Sequence, residues 1–482
     1  MTTSAAQRSN TNKNASWSVF HQVATYASSL IFTAILARII APHDFGIFAM
    51  AMTVSAFFLI FADGGMVWSL IQREKISQAE VVNLRWLNGG LGAFMTLAAV
   101  LIAPFVAAFY GYPEITWVLA ILGLNFFISG VSTPSIMWMK REQRFKALAL
   151  IDISATLVAG ALAVTSAIYG AGVWALVLQA VAKFLLQALA VSALAKCPSG
   201  WFQRQVDMRN LTLFGGSLIA FGAVNYFARN LDNVLIGAVI NAESLAYYSR
   251  AYFLMTLPSM LTTGALSGLM ISILSRMQHD TALLQRQYAH TLRFLFIICA
   301  PVAMYFVLFP QDPIALLYGE QWDAVVPLLQ ILSLACLTQP IHNTMGWIFT
   351  ASGTANKMLK WGIFASLLLS LSFAVGVQYG VAGVAWAYTS VMGIGLTIGA
   401  VAYAHRSANL AFASTLRYLF KPFIAVTLTL VLVTFVTTNL ALPPMELWLA
   451  IIVHGSLLVG IYCGLLVALY RRQLRQILQV SV

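Results

Sequence analysis

An all-α polytopic membrane protein with 14 transmembrane helices is the fold this sequence predicts, on three observations. There are enough apolar runs of membrane-crossing length, the basic residues gather in every second connection, and the two halves carry a weak repeat. Of 482 residues, 60% are hydrophobic and 9% charged, and the mean hydropathy is +0.83. Soluble domains carry about a quarter charged residues, so a soluble globular fold is excluded.

In chain order, residues 1–16 are polar, carry Arg8 and Lys13, and lead into an apolar run without a small-residue cleavage pattern. They read as a cytoplasmic tail ahead of a retained first helix. A span needs about 20 mostly apolar residues. Spans one to six are predicted over 17–40, 45–71, 81–108, 115–138, 148–169 and 172–195, followed by a cytoplasmic linker at 196–212. Spans seven to twelve follow over 213–240, 245–273, 292–310, 325–350, 361–379 and 381–404. Spans thirteen and fourteen, at 419–440 and 447–470, lie within a terminal segment 405–482 that ends in a basic cytoplasmic tail.

The 27 basic residues orient these spans. With the N-terminus inside, the cytoplasmic connections and the span ends bordering them (Arg85, Arg293 and Lys421) collect all of them except Arg38, Lys183, Arg229 and Arg250, which fall elsewhere within spans. The outer loops hold none and carry instead Asp44, Glu114, Glu243, Asp312, Glu320, Asp323 and Glu446. An even number of spans with both termini in the cytoplasm follows, because one helix more or fewer would invert every later loop. The net charge of +12 is thus a topology signal, with no nucleic-acid partner implied. Cys197, Cys299, Cys336 and Cys463 are scattered without paired spacing and read as packing residues, with no metal site.

An offset of 200 residues lays Leu36–Ala51 (LARIIAPHDFGIFAMA) over Ile236–Ala251 (IGAVINAESLAYYSRA). Each reads as a helix end, a tight outer turn with one acid, and a helix opening on aromatics. Spans one to six (17–195) and seven to twelve (213–404) then form an N-lobe and a C-lobe. Six is even, so both insert in the same sense, related by a pseudo-two-fold axis along the membrane normal. Spans thirteen and fourteen, parted by the Leu442–Met445 turn, fall outside the repeat. Of the prolines inside spans, Pro104, Pro134, Pro258, Pro301 and Pro340, most serve to shape packing, and Pro258 and Pro340 are the hinge candidates.

The stretch from Asn225 to Arg250 places ionised groups inside a predicted span. On a helix Asn225, Arg229, Asp232 and Asn233 share one polar stripe. A charge at mid-bilayer costs at least about 3 kcal/mol, so the stripe should meet other helices or a watery cavity. Arg229 can grip a phosphate or carboxylate with its planar fork; the alternative is a closed pair with Asp232 three residues on. Lys183, flanked by Gln179 and Gln187, suits a cavity or a bundle core, unless its stem snorkels. His21 shares a face with Thr25, Ser28 and Ser29, either toward that cavity or in packing. Asp63, before two glycines, is the coupling-ion candidate or a helix-end acid paired with a base. Asp152, about one turn from the cytoplasmic end of span five, reads as interfacial, and Arg38 and Arg250 as headgroup-reaching. No GxxxxGK[ST] loop, HExxH motif or sizeable soluble domain is present, and the longest outer loop, about 311–324, carries no Lys, Arg or His. No catalytic residue and no cofactor is therefore expected.

The runs LARIIAPHDFG (Leu36–Gly46), Asp63-Gly64, SLIQREKIS (Ser69–Ser77), WLNGGLG (Trp86–Gly92), NLDNVLIG (Asn230–Gly237), YYSRAY (Tyr247–Tyr252) and YGEQWDAVVPLLQIL (Tyr318–Leu332) carry a family resemblance. Over about 300 residues the chain resembles the polysaccharide-exporter branch of the multidrug/oligosaccharidyl-lipid/polysaccharide flippase superfamily, of the colanic-acid-exporter type found in lipopolysaccharide biosynthesis. The resemblance implies a two-lobed transporter in the bacterial inner membrane. It would move undecaprenyl-pyrophosphate-linked oligosaccharide repeat units from the cytoplasmic to the periplasmic leaflet by alternating access. A polysaccharide polymerase and other export proteins would be its partners. No motif of the family fixes the cavity cations, so Arg229 and Lys183 rest on the residues alone. Competing readings are an ion-coupled drug or small-molecule antiporter of the same superfamily, a membrane polymerase, and a scaffold without transport of its own.

Overall fold

The computed structural model describes residues 2–62, 65–68, 70, 76–205, 208, 219, 222–223, 226–227, 229–439 and 445–480. Every regular element among them is helical. Among the described residues, eleven helices are long and apolar enough to cross a membrane, or twelve if the bent pair Ala242–Gly264 and Leu266–Arg276 is one span. The chain is a multi-pass membrane protein of two compact units, Met1–Ala246 and Tyr247–Val482.

In the first unit, α1 (Thr2–Ile39) and α2 (Pro42–Ala62) form the opening hairpin. Residues predicted as a tail are thus helical from Thr2 and continuous with the first span. A 3-10 turn (Gly65–Trp68) leads toward α3 (Gln78–Tyr110). Helix α3 starts on a capping box in which Ser77 and Glu80 satisfy each other's backbone N–H, and it stops at Gly111, where φ is +78. The fourth predicted span is Ile115–Arg141, formed by α4 (Ile115–Leu122) and α5 (Leu124–Arg141) around Gly123. Helices α6 (Phe145–Ile168) and α7 (Val173–Leu194) complete the set before the linker.

Small residues set these helix distances. A Cβ on Gly92 of α3 would stand 2.5 Å from the Phe126 carbonyl oxygen, and one on Gly130 of α5 would stand 2.6 Å from that of Asn88. Two backbones therefore touch, and the buried Asn88 amide donates to the Gly130 carbonyl at 3.0 Å. A Cβ on Gly160 would collide with the Phe32 ring, so this glycine lets α6 approach α1.

Side chains at each end of the first unit tie neighbouring connections together. At one end of the first unit, Arg144 Nη1 donates to the Leu194 carbonyl (2.7 Å) and Arg85 Nη1 to that of Pro198 (3.1 Å). There Asn83 also pins the linker, its amide donating to the Gln203 carbonyl at 2.7 Å and its oxygen accepting the Gln203 N–H at 2.8 Å. At the other end His43 packs on Tyr112, whose hydroxyl accepts the Ala242 N–H at 3.2 Å.

In the second unit, α8 (Ala242–Arg276) enters from the first unit and bends by 45° at residue 265, seven positions beyond Pro258. Helix α9 (Thr281–Leu308) is capped by the Asp280 carboxylate. The predicted outer loop 311–324 is ordered as α10 (Gln311–Leu317) and a 3-10 turn, Glu320–Trp322. Span ten is divided into α11 (Val325–Cys336) and α12 (Gln339–Ala351). Pro340 lies in the first turn of α12, where its missing N–H interrupts no ladder bond. Predicted spans eleven and twelve share one helical run, Asn356–Ser407, containing α13 (Ala355–Gly376), α14 (Gly380–Ala387), a wide π turn and α15 (Thr397–Ser407). The run folds back on itself at Gly380 (φ +76), with Gly376 so close to Gly383 that a Cβ would lie 2.7 Å from its carbonyl oxygen. Helices α16 (Phe412–Asn439) and α17 (Leu447–Val480) close the unit around a core that includes Phe296, Met304, Phe349, Val433 and Tyr462.

Span seven, predicted at 213–240, is described in part, continuously only from Arg229, and its end runs into a π turn, Ile236–Ile240. Large apolar side chains such as Phe94, Leu101 and Phe105 on α3 and Leu367 and Leu371 on α13 stand exposed, as a lipid-facing surface requires.

Candidate functional site

In the first unit α1 and α7 bring His21 and Lys183 to a single carboxylate, that of Asp152 on α6. It stands seven residues into α6, about 10 Å along the axis. His21 of α1 approaches Oδ2 at 2.8 Å, and the Thr25 hydroxyl one turn on donates to the same oxygen at 3.1 Å. Lys183 Nζ, at the middle of α7, stands 3.4 Å from Oδ1, where the Gln187 amide also donates at 3.4 Å. Each oxygen is thus served by a separate helix. Spacing i, i+4 presents His21 with Thr25 and Lys183 with Gln187, two pairs facing inward from either side.

The local sequence explains the closeness. Ala155, Ala159, Ala163 and Ala167 form a fully buried row on α6, and Gly160 admits Phe32. Small residues let helix backbones approach within side-chain reach. The Asp152 side chain keeps 13% exposure while His21 keeps 37% and Lys183 33%, so the carboxylate is more enclosed than the two side chains that meet it. An unpaired charge here would be costly in hydrocarbon; the pair removes that cost and leaves a lysine that an incoming anion can recruit.

Arg229 and Asp232 take different surroundings. Arg229 is exposed, and among the described residues it forms no ion pair. Asp232 is only 3% exposed, and its Oδ1 accepts the Asn233 backbone N–H at 2.9 Å. Positions three apart differ by about 60° around a helix, and the edge of the packed face falls between them. The single stripe read from the sequence is therefore split, and the closed Arg229–Asp232 pair does not form. Asn233 is half-buried, and the Asn230 amide turns back to the Tyr226 carbonyl at 3.0 Å. Tyr226 donates to the Thr53 carbonyl of α2 at 2.5 Å, and Phe57 packs against Phe227 at 4.6 Å, seating this helix on α2. Asn225 and Asp63 lie outside the described residues.

Lys183 and His21 thus come together, on a partner read from the sequence as merely interfacial. Asp152 sits deeper than expected because α6 begins at Phe145 rather than 148. The available signal was three lone titratable residues, one each on spans one, five and six. Among the described residues no group of three His, Cys, Asp or Glu is placed to hold a metal ion.

Comparison with known proteins gives concordant results. A family model described as "Polysaccharide biosynthesis protein" matches residues 35–327. The lipopolysaccharide biosynthesis protein WzxC of Escherichia coli (strain K12) is 26% identical over 381 residues, covering 77% of this chain and 76% of that one. The succinoglycan biosynthesis transport protein ExoT of Rhizobium meliloti (strain 1021) is 20% identical over 469 residues, 97% and 95% of the two chains. Among solved structures, the lipid II flippase MurJ in an inward closed conformation aligns with a TM-score of 0.76 at 12% identity, over 95% of this chain and 100% of its own. At that identity the likeness is one of fold.

Proposed function

The chain belongs to the polysaccharide biosynthesis protein family matched over residues 35–327, and on that premise we propose that it is a flippase for lipid-linked oligosaccharides. The cargo is an undecaprenyl-pyrophosphate-linked repeat unit, carried from the cytoplasmic to the periplasmic leaflet of the bacterial inner membrane. The protein acts as a transporter rather than an enzyme, alongside a polymerase and other export proteins. In this reading it has 14 spans with both termini cytoplasmic: an N-lobe at 17–195, a C-lobe at 213–404, and two further helices. Family membership is the observation that carries the proposal; the names of WzxC and ExoT agree with it.

The physical problem is the head of the cargo. Sugars and a diphosphate cannot cross about 30 Å of hydrocarbon unaided, whereas a polyprenyl tail stays in lipid. The head needs cations that are available yet not stranded when the site is empty. Lys183 meets both demands: Asp152 at 3.4 Å holds it in the empty state, and its exposed side leaves it reachable. Arg229, exposed and without a carboxylate among the described residues, supplies a two-pronged phosphate grip. His21, Asn225, Asp232 and Asn233 complete the proposed binding set, and Asp63 is the coupling-ion candidate. Alternating access of the two lobes presents this set to each leaflet in turn.

The test is a deletion strain. Lipid-linked repeat units trapped on the cytoplasmic face, with export restored by the intact gene, are expected. Unpolymerised units collecting on the outer face would show that the protein acts after flipping and would overturn the proposal.

A further inference from the structure

A second cationic cluster lies in the second unit, where α9, α16 and α17 meet. The Arg293 guanidinium carbon of α9 stands 5.5 Å from the centre of the Tyr470 ring of α17. Lys421 Nζ of α16 approaches the same ring at 5.1 Å and donates to the Leu469 carbonyl at 3.1 Å. Arg293 also faces the Tyr418 ring at 5.8 Å and shares a hydrogen bond with His290 Nδ1 at 3.0 Å. Two cations thus flank one aromatic ring.

Neither Arg293 nor Lys421 meets a carboxylate among the described residues. The sequence offers almost none: residues 281–308 hold no acid, and residues 405–482 hold only Glu446, at the opposite end of α16 and α17. Like charges sharing one ring repel, and an anion beside that ring would relieve both.

The site's depth identifies the anion. Beyond Arg293, α9 continues as an unbroken apolar run to Leu308; beyond Lys421, α16 runs to Asn439; before Tyr470, α17 runs from Leu447. All three helices change from polar to apolar at this level, where tyrosine and lysine mark the headgroup layer of a bilayer. Tyr470 is followed by Arg471, in a connection predicted cytoplasmic. We propose that Arg293, Lys421 and the hydroxyl of Tyr470 bind the phosphodiester of an anionic phospholipid of that leaflet. The site is separate from the one proposed for the cargo and does not depend on the flippase reading.

The full chain, purified in detergent, is titrated with phosphatidylglycerol in mixed micelles and separately with phosphatidylcholine and inorganic phosphate. Saturable binding of phosphatidylglycerol alone is expected, with each cation removed weakening it about fivefold and the pair Arg293→Gln with Lys421→Gln about 25-fold. Should the double variant not fold, the exposed Lys421→Gln alone carries the fivefold test. Undiminished binding by the folded variants would overturn the site, and equal competition by inorganic phosphate would overturn its assignment to a lipid.

Discussion

Lys183 and His21 reach opposite oxygens of Asp152, at 3.4 and 2.8 Å, so that one carboxylate joins α7 to α1 across α6. Lys183→Ala leaves the carboxylate with His21 and neutral donors, and Asp152→Ala leaves a lysine without its anion. The double variant is expected to be more stable than the sum of the single effects predicts, by about 1 kcal/mol, since partial exposure screens the pair. Thermal unfolding of the four proteins in detergent measures this coupling; additive shifts would show that the two residues do not interact.

In the proposed function Arg229 bears on the cargo rather than on the fold, since it is exposed and forms no ion pair among the described residues. Arg229→Ala is expected to lower flipping by about 10- to 100-fold at unchanged protein level, the range of a lost charged hydrogen bond. Arg229→Lys should recover part of it, a point charge replacing a fork. Normal export by Arg229→Ala would remove this residue from the site.

Two glycines on one helix separate packing from helix propensity. Gly92→Ala drives a methyl into the Phe126 carbonyl, and the expected loss is about 1–3 kcal/mol with a lowered melting temperature. Gly90, two positions earlier, has nothing within 4 Å of its would-be Cβ. Gly90→Ala should be neutral or stabilising by up to about 1 kcal/mol. Similar shifts in the two variants would contradict the close approach of α3 and α5.

Asn83 holds the linker through both halves of its amide. Asn83→Ala exposes two backbone groups of Gln203 and is expected to cost about 1–2 kcal/mol locally. Faster amide hydrogen exchange over residues 196–205, with the helices unchanged, is the measurement that checks it.

Much of the fold was legible before any coordinates. Apolar runs are local properties that add along the chain, and the long apolar helices form where those runs lie. Proline position was less informative: the 45° bend of α8 falls at residue 265, seven positions beyond Pro258. The site was legible in part. His21 and Lys183 stood out as ionisable groups in apolar helices, but nothing near Asp152 in the sequence announces that both reach it.

Sequence alone therefore determined a membrane protein, the regions of its spans, and the family it resembles, since hydropathy, charge and motif are each read over short windows. Tertiary structure decided which polar side chains meet: that Asp152 gathers α1 and α7, that Arg229 and Asp232 face differently, and that Asn83 clamps the linker. Those outcomes depend on how each helix is rotated and how closely its neighbours approach. Rotation and distance are set by packing residues such as Gly160 and Phe32, more than a hundred positions apart in the chain.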